Sequence, residues 1–590
     1  MNLLKELWMP VRLRDGQREW IAPDRLSDRD VVAFDADRPD FNGSLAQFAI
    51  GLLQTATPVD SETEWRQLFK APPESATLRA WFSALEPAFA LDGEGARFMQ
   101  DIAIHLAHSL HEKGDHVGTT EEVQQLLLEC AGESSKIDDN TDHFVKRKPS
   151  TFALCPACAA ASLYTLQSSA SGGGRGYLTS IRGGGPLTTL VQCSPAQLLW
   201  HDLWLNVSEK SSFVSRGEAH ANGEAYRLFP WLADLRRLQP AGISTLAFEG
   251  EPGKPKPTEE EKPKTQPAQV HPAHVFWGMP RRIRLAFEQV AARECSICDR
   301  LSERLVKSYI TKNYGLNYKG PWDHPLSPYY STKEGWLPFH PQPDGLGYQH
   351  WLGWVAGAST SAKRARVVEH AVSVRGRQVG TNLRLWAFGY DMDKMKARCW
   401  YEASVPLYGL ASCSNDDRRE VEADVGQWLA SAEITEAYFV KAVKAAWFRE
   451  KAVGKFDHVA KTFWNSTEAA FYRLLERRIN AARDGRPFDR ISVAEQWLRT
   501  LQRSVLMLFD DVFVGAGSVS RQQPKRIANA RRNLLSERKG QDGLWGKKLR
   551  ESLGLPVADP TAAKKAKRTS KTPPPPSLND AGEQANRRTT

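Results

Sequence analysis

The sequence has few cysteines and no long apolar run. Eight Cys among 590 residues are too few for a disulfide framework, which excludes the small secreted scaffolds that depend on cross-links. No stretch approaches the roughly 18 apolar residues of a membrane-spanning helix. The opening Met1-Asn-Leu-Leu-Lys-Glu-Leu-Trp is too short and too polar for a signal peptide. We therefore expect a cytoplasmic protein without a membrane partner.

Sequence signatures of catalysis are also lacking. The chain contains no His-Glu-x-x-His motif, no nucleophile elbow and no clear carboxylate cluster of the nuclease type. Its glycine clusters do not have the Gly-x-x-x-x-Gly-Lys-Ser/Thr spacing of a nucleoside triphosphate loop. The expectation is a protein that is not an enzyme.

The composition is that of a basic globular protein. The chain is 41% hydrophobic and 10% aromatic, and it is long enough for two to four domains. It has 79 Lys and Arg against 69 Asp and Glu, a formal net charge of +10. This excess favours a polyanionic partner such as nucleic acid.

Two pairs of cysteines have the spacing of metal knuckles, Cys155-Pro-Ala-Cys158 and Cys295-Ser-Ile-Cys298. Each spacing lets two thiolates turn toward one ion, and two such pairs complete a tetrahedral Zn(Cys)4 site. Four thiolates leave no open coordination position, so the predicted zinc is structural. The alternative is four buried, reduced cysteines. Ordinary reduced thiols are expected at Cys130, Cys193, Cys399 and Cys413.

Segments rich in cations or glycine flank the first knuckle. Phe144-Val-Lys-Arg-Lys148 precedes Pro149, which favours extended backbone and hence a loop that could enter a nucleic-acid groove. A solvated basic loop is the alternative. The clusters Gly172–Gly176 and Gly183–Gly185 permit close backbone approach, and their amides could bind an anion. A flexible hairpin is the alternative there.

The first part of the chain mixes strand and helix patterns, which predicts an α+β domain over residues 1–400. Residues 250–272, rich in Pro, Lys and Glu, are predicted to be a disordered insertion. The expected elements include strands at Val31–Phe34 and Leu187–Val191, and helices at Phe98–Leu110 and Glu121–Leu128.

Helical periodicity then predicts a four-helix bundle over residues 401–557, followed by a disordered, basic and Pro-rich tail at 558–590. The third helix is expected to open with the capping box Ser492-Val-Ala-Glu495, and the fourth to run from Pro524 to Leu535. A basic helix face would suit a single strand or an RNA backbone. A solvated surface is the alternative for its cations, which are Arg521, Lys525, Arg526, Arg531, Arg532, Arg538, Lys539, Lys547, Lys548 and Arg550.

Several short motifs, in their order and spacing, resemble the large subunit of the type I-E CRISPR surveillance complex Cascade, the CasA family. The resemblance covers most of the chain and implies a mixed N-terminal domain with a zinc-type cysteine quartet and a C-terminal four-helix bundle. The motifs are Leu7-Trp-Met-Pro-Val11, Asp142-His-Phe-Val145, the two cysteine knuckles, Ile181-Arg-Gly-Gly-Gly-Pro-Leu-Thr-Thr189 and Trp322-Asp-His-Pro-Leu-Ser-Pro328.

The resemblance also implies a function. Such a subunit recognises the protospacer-adjacent motif (PAM) in double-stranded DNA, promotes duplex opening and R-loop formation with the guide crRNA, and helps to recruit the helicase-nuclease. Its partners would be the other Cascade subunits, crRNA, the target duplex with its displaced strand, and the helicase-nuclease. The implied DNA contacts are a loop of Phe144, Val145 and Lys146; a glycine loop of Gly172, Gly173, Gly174, Arg175 and Gly176; a lysine matched by Lys312 or the neighbouring Asn313; and a wedge of Asp391, Met392, Asp393 and Lys394.

Two other classes of function stay open from the residues alone. One is a stand-alone, zinc-stabilised nucleic-acid-binding protein that acts, for instance, on RNA. The other is a metal-dependent nuclease.

Overall fold

The computed structural model describes most of the chain. The described residues are 1–109, 112–128, 152–172, 176–214, 224–333, 335–343, 345–357, 362–393, 396–448, 456–514, 523–538 and 541–557. None of the helices in these ranges combines the length and the apolar character that crossing a membrane would require. Contacts divide the chain into two compact units, residues 1–426 with 455–488, and residues 427–454 with 489–590.

The described residues of the first unit form four small antiparallel sheets, with the strand orders β2-β1-β3, β4-β7-β6, β10-β8-β9 and β12-β11-β5. The long hairpins β6–β7 and β11–β12 carry the segments that matter below. The strands are β1 Met9–Leu13, β2 Arg18–Ile21, β3 Val31–Phe34, β4 Thr119–Glu122, β5 Thr188–Ser194, β6 Arg282–Glu294, β7 Leu301–Lys312, β8 Tyr329–Thr332, β9 Gly335–Pro338, β10 Ala362–Lys363, β11 Asn382–Asp393 and β12 Lys396–Pro406. The two predicted strands are confirmed as β3 and β5.

The first unit also contains helices. They are α1 Pro39–Ala56, α2 Glu62–Lys70, α3 Ser75–Phe82, α4 Pro156–Ser169, α5 Leu199–Trp204, α6 Lys210–Val214, α7 Thr245–Glu249, α8 Arg366–Ser373, α9 Asn415–Trp447 and α10 Asp457–Arg483. The last part of α9 belongs to the second unit. The centre of the core is Phe48 on α1, whose fully buried ring makes edge-on contacts with the rings of Trp8, Phe89, Tyr164 and Trp277. Residues from distant parts of the sequence therefore pack against the same helix, α1.

The two helices predicted near residue 100 are wrong. Over the described part of Phe98–Leu110 the chain is irregular, because Gln100 and Asp101 are buried together with Phe98 and Met99 and bind β6 instead of a helix turn. The Asp101 amide donates to Ile283 O at 2.9 Å. Glu121–Leu128 is also not an α-helix, since it contains the end of β4 and one short 3-10 turn at Val123–Leu126.

Residues 250–272, which were predicted to be a disordered insertion, belong to the described part of the chain. The last part of this segment is hydrogen-bonded to residues outside it. The Thr265 amide donates to Asn317 O at 2.8 Å, and Asn317 Nδ2 donates to Pro263 O at 2.8 Å. Thr265 is fully buried. The high content of Pro and Lys predicted disorder, but backbone partners outside the segment supply hydrogen bonds that composition does not reveal.

The second unit is helical. Besides the last part of α9, it contains α11 Arg490–Met507, a π-helical turn at Leu508–Phe513, α12 Pro524–Leu534, α13 Lys547–Ser552 and the short strands β13 Glu537–Arg538 and β14 Gln541–Asp542. Trp497 on α11 is fully buried and donates from Nε1 to Trp428 O on α9 at 3.0 Å. The predicted fold class, a mixed α/β part followed by a helical region, is confirmed. The domain limits at 401 and 557 stay predictions.

The capping residue predicted for α11 is wrong. The helix begins at Arg490, and the Asp489 side chain accepts the Ser492 amide at 3.0 Å. Asp489 is thus the N-cap, and Ser492 lies in the first turn. Asp and Ser are comparably good N-caps, so residue type alone does not distinguish Asp489 from Ser492.

Candidate nucleic-acid interface and cysteine cluster

The four knuckle cysteines meet in one cluster. Their sulfur atoms all lie within 4.8 Å of one another, and the Sγ atoms of Cys155 and Cys298 are 3.7 Å apart. Cys155 caps α4 and Cys158 lies in its first turn, whereas Cys295 and Cys298 occupy the turn between β6 and β7. The predicted convergence of the two knuckles is confirmed.

Protein contacts hold the two knuckles together independently of any ion. The amide of Cys155 donates to the Sγ atom of Cys295 at 3.3 Å. Ala153 and Ser296 exchange two hydrogen bonds, one from the Ser296 amide to Ala153 O at 2.9 Å and one from the Ala153 amide to Ser296 Oγ at 3.0 Å. These hydrogen bonds fix the residues directly before α4 to the turn between β6 and β7.

This donor set fits a metal ion. Four ligands at a Zn–S distance of about 2.3 Å imply sulfur separations of about 3.8 Å in a tetrahedron, close to what the cluster already provides. Hydrogen bonds from Cys155 and Cys158 lower the pKa of Cys295 and of Cys298. Hydrogen bonds to Cys295 and Cys298, together with burial, raise the pKa of Cys155 and of Cys158. Thiolates are the form that binds metal, so binding an ion would also require these two thiols to lose their protons.

The predicted glycine loop and the predicted lysine lie beside each other. The Tyr314 amide donates to Gly176 O at 2.9 Å, and Tyr314 follows directly after Lys312 and Asn313 at the end of β7. Gly176 has φ +87°, and a Cβ atom there would be 2.5 Å from the Tyr314 ring. Only glycine fits this approach.

The second glycine cluster links the loop to the predicted wedge. A Cβ atom on Gly184 would be 2.7 Å from Ser171 Cα, just before the glycine loop. A Cβ atom on Gly185 would be 2.7 Å from Met392 Cγ on β11. One continuous region of the first unit therefore contains Gly172, Gly176, Lys312, Asn313 and the β11–β12 hairpin. Because this hairpin carries the predicted wedge, we call it the wedge hairpin.

An ion pair within the wedge hairpin neutralises part of its acidic character. Arg398 on β12 contacts Asp391 on β11 through Nε at 3.0 Å and Nη2 at 2.7 Å. Asp391 is 3% exposed, while Asp393 is an exposed residue at the tip, 3.8 Å from Arg398 Nη1. The Asp391 carboxylate is thus already paired.

Some predicted contact residues lie outside the described part of the chain. They are Phe144, Val145, Lys146, Gly173, Gly174, Arg175 and Lys394. Their roles stay predictions.

Arg182 is a residue of this region that sequence reasoning did not single out. It is 3% exposed, and its Nη1 atom donates to Thr188 Oγ1 at 2.8 Å and to Ser327 Oγ at 3.1 Å, while Nη2 donates to Gln47 Oε1. Burial lowers the pKa of Arg182 to about 10. The signal was available, because Arg182 and Ser327 each lie within a motif that carried the family resemblance.

Several cations of the predicted basic face bind within the second unit. Arg531 pairs with Asp510 at 2.8 Å, Arg526 donates from Nε to Ala446 O at 2.9 Å, and Lys547 pairs with Glu551 at 2.9 Å. These contacts leave a smaller cationic surface than the residue count indicated.

Comparison with known proteins identifies the fold. The sequence profile described as CRISPR-associated protein Cse1 matches residues 2–508. A crystal structure of CasA from Thermus thermophilus is 15% identical, with a TM-score of 0.60 over 94% of this chain and 99% of that chain. Thermobifida fusca Cse1 is 14% identical, with a TM-score of 0.60 over 94% and 98%. A chain of a CRISPR RNA-guided surveillance complex is 15% identical, with a TM-score of 0.56 over 91% and 99%.

A mixed α/β part joined to a helical region is thus the fold that this chain has in common with solved CasA structures. The chain belongs to the Cse1 family, also called CasA, the large subunits of type I-E Cascade.

Proposed function

We propose that this subunit recognises the protospacer-adjacent motif in duplex DNA, starts duplex opening for R-loop formation with crRNA, and helps to recruit the helicase-nuclease. It would do so as a non-catalytic part of Cascade. The matching chain of an RNA-guided surveillance complex supports the other Cascade subunits and RNA as partners.

One observation carries the proposal. The Tyr314–Gly176 hydrogen bond puts the glycine loop beside Lys312 and Asn313, and Gly185 packs on Met392 of the wedge hairpin. A recognition loop, a cation and a strand-separating hairpin are needed at one place on the DNA. These segments are far apart in the sequence. More than 130 residues lie between Gly176 and Lys312 alone.

The mechanism is physical and involves no covalent step. Bare backbone amides and a lysine can approach the minor groove, where the pattern of donors and acceptors is degenerate, so tolerance for several related motifs is expected. The hairpin would then unstack the first base pairs at a cost of a few kcal/mol per step. Pairing with the guide RNA would supply the sequence specificity beyond the motif, a division of labour known for another RNA-guided complex.

We further propose that the cysteine cluster holds zinc. The ion would tie α4, which leads into the glycine loop, to the β6–β7 hairpin, which ends at Lys312. Four thiolate ligands make the role structural.

The test uses the assembled complex and two target duplexes that differ only in the flanking triplet, one matched and one scrambled. Lys312→Ala should weaken binding of the matched target about tenfold, equivalent to about 1.4 kcal/mol, with crRNA assembly intact. Lys307→Ala is the matched control, because Lys307 lies on the same strand and pairs with Glu288 at 2.7 Å. Equal binding of both duplexes by the unaltered complex would refute PAM recognition.

Two measurements on the isolated chain separate the other classes of function. A stand-alone nucleic-acid-binding protein would bind both duplexes, or RNA, equally well without the other subunits. A metal-dependent nuclease would cleave DNA as the isolated chain with Mg²⁺.

A further inference from the structure

We infer that a cavity over one face of the β12-β11-β5 sheet is a binding site for a small zwitterion of the amino-acid class. The cavity has a volume of about 570 Å³, and the residues that line it belong to the first unit. Cavities of this size are typical of sites for small organic ligands. The inference does not depend on the proposed function, because none of the described DNA-contact residues lines the cavity.

The walls of the cavity come from this sheet, from α5, from β3 and from the first half of α1. Arg384 and Trp386 are two positions apart on β11, so their side chains leave the same face of the sheet. Their partners in the register on β5, Gln192 and Leu190, also line the cavity. The larger apolar side chains of the lining are Val32, Phe34, Leu190, Leu199, Leu203 and Trp386.

The cation of the cavity is Arg384. Among the described residues, its buried Nε atom has no hydrogen-bond partner and its guanidinium has no ion-pair partner. A buried donor without a partner costs free energy, which an acceptor on a ligand would recover. A carboxylate matches the planar donors of a guanidinium. It suits this cavity better than a phosphate, because Asp202 and Glu402 also line it and would repel a second negative charge.

The buried acid of the cavity is Asp202 on α5, which is 9% exposed. Its Oδ1 atom accepts the Cys193 amide at 2.8 Å, and within the described part of the chain no cation forms an ion pair with it. Burial raises the pKa of Asp202 to about 7, and the charge of Arg384 offsets only part of this effect. A ligand ammonium would supply both the missing positive charge and hydrogen-bond donors.

The other acids of the lining already have partners. Asp37 pairs with Arg18 at 2.6 Å, and Glu402 accepts Trp386 Nε1 at 3.3 Å. The cavity therefore offers a ligand one cation and one buried acid, surrounded by apolar side chains. An amino acid with an apolar side chain has the complementary groups, since its carboxylate would bind Arg384, its ammonium would bind Asp202 and its side chain would pack against the apolar lining.

The first test measures binding of L-phenylalanine to the purified subunit by isothermal titration calorimetry. Phenethylamine, which lacks the carboxylate, and 3-phenylpropionate, which lacks the ammonium, are the matched ligands. L-Phenylalanine should bind with a dissociation constant of about 1 mM or below, and each analogue should bind about tenfold or more weakly. Absence of binding by L-phenylalanine, or equal binding of either analogue, would overturn the inference without any variant.

The second test places the ligand in the cavity. Arg384→Met removes the cation, and Asp202→Asn removes the acid while its amide oxygen can still accept the Cys193 amide. Each variant should bind L-phenylalanine about tenfold or more weakly, with the melting temperature of the unliganded protein unchanged. Asp37→Asn is the control, because Asp37 lines the same cavity but is paired with Arg18. Unchanged affinity in Arg384→Met or Asp202→Asn, or an equal loss in Asp37→Asn, would overturn the inference.

Discussion

Arg182 donates from Nη1 to Ser327 Oγ at 3.1 Å, which joins two sequence motifs that lie 145 residues apart. Ser327 in turn donates to Leu187 O at 2.7 Å. The motif Ile181–Thr189 therefore begins and ends on the same small network. Because Gly183–Gly185 lie between these anchors, the network fixes the glycine cluster that packs against Met392.

Removal of the Arg182 side chain should destabilise the first unit. Arg182→Met removes the guanidinium donor from the buried oxygen atoms of Gln47, Thr188 and Ser327, at an expected cost of about 2 kcal/mol or more. Arg12→Met is the control, because Arg12 is largely exposed and its pair with Asp35 should contribute little. Denaturant unfolding of both variants measures the difference, and equal midpoints would contradict a role for the network.

Two glycines of the same loop should respond differently to alanine. Gly176→Ala requires φ +87° and brings Cβ to within 2.5 Å of the Tyr314 ring, so a loss of at least about 1 kcal/mol is expected. For Gly172→Ala the nearest described side-chain atom is Thr179 Cγ2, 3.5 Å from the new Cβ, an ordinary contact. Thermal melting should separate the two variants. Similar melting temperatures would argue against the close approach of Tyr314.

The cysteine cluster should bind one zinc ion per chain. Structural sites of this type contribute on the order of 10 kcal/mol to folding at neutral pH. Cys298→Ser should lose the metal and lower the melting temperature, and chelator should destabilise the unaltered protein but not this variant. Cys399→Ser, outside the cluster, should keep one equivalent by elemental analysis. Less than half an equivalent in the unaltered protein would refute the site.

The ion pair in the wedge hairpin should matter for duplex opening. Arg398→Ala leaves the buried Asp391 carboxylate unpaired and adds negative charge next to DNA phosphates. We expect slower opening of a closed duplex, measured with a fluorescent base beside the motif, and normal binding of a pre-melted bubble. Asp393→Asn should have a smaller effect, since Asp393 is exposed and approaches Arg398 no closer than 3.8 Å. Equal losses on both DNAs would contradict a wedge.

Buried histidines should make the protein less stable in mild acid. Burial lowers the pKa of His274 to about 4, below an ordinary value of 6.5. The unfolded chain then gains a proton as the pH falls through 6.5, but the folded chain does not until about pH 4. The unfolding free energy should therefore fall across this window, by up to about 1.4 kcal/mol per pH unit for each such group. Burial also lowers the pKa of His116, His201, His271, His324 and His340.

His274→Asn provides the specific check. His274 contacts Arg227 O at 3.1 Å and the Tyr318 hydroxyl at 3.0 Å, and an amide offers one donor and one acceptor in their place. The slope of stability against pH between 4 and 6.5 should become shallower in this variant. An unchanged slope would show that His274 does not titrate in the way its burial implies.

The sequence predicted the elements whose signal is local. Helices α9, α10 and α11 follow from apolar residues at helical spacing. The cysteine cluster follows from two Cys-x-x-Cys pairs, because two pairs are needed to complete a four-cysteine site. Local signals failed at Phe98–Leu110, where apolar spacing suggested a helix but the buried polar residues Gln100 and Asp101 bind β6.

The sequence by itself determined the fold class, the helical C-terminal region and the pairing of the two knuckles. Only the tertiary structure decided that Gly176 meets Tyr314, that Asp391 is neutralised by Arg398, and that Arg182 binds Ser327. The physical reason is that a buried guanidinium is placed by partners far away in the chain, and its hydrogen bonds leave no periodic pattern near the residue itself.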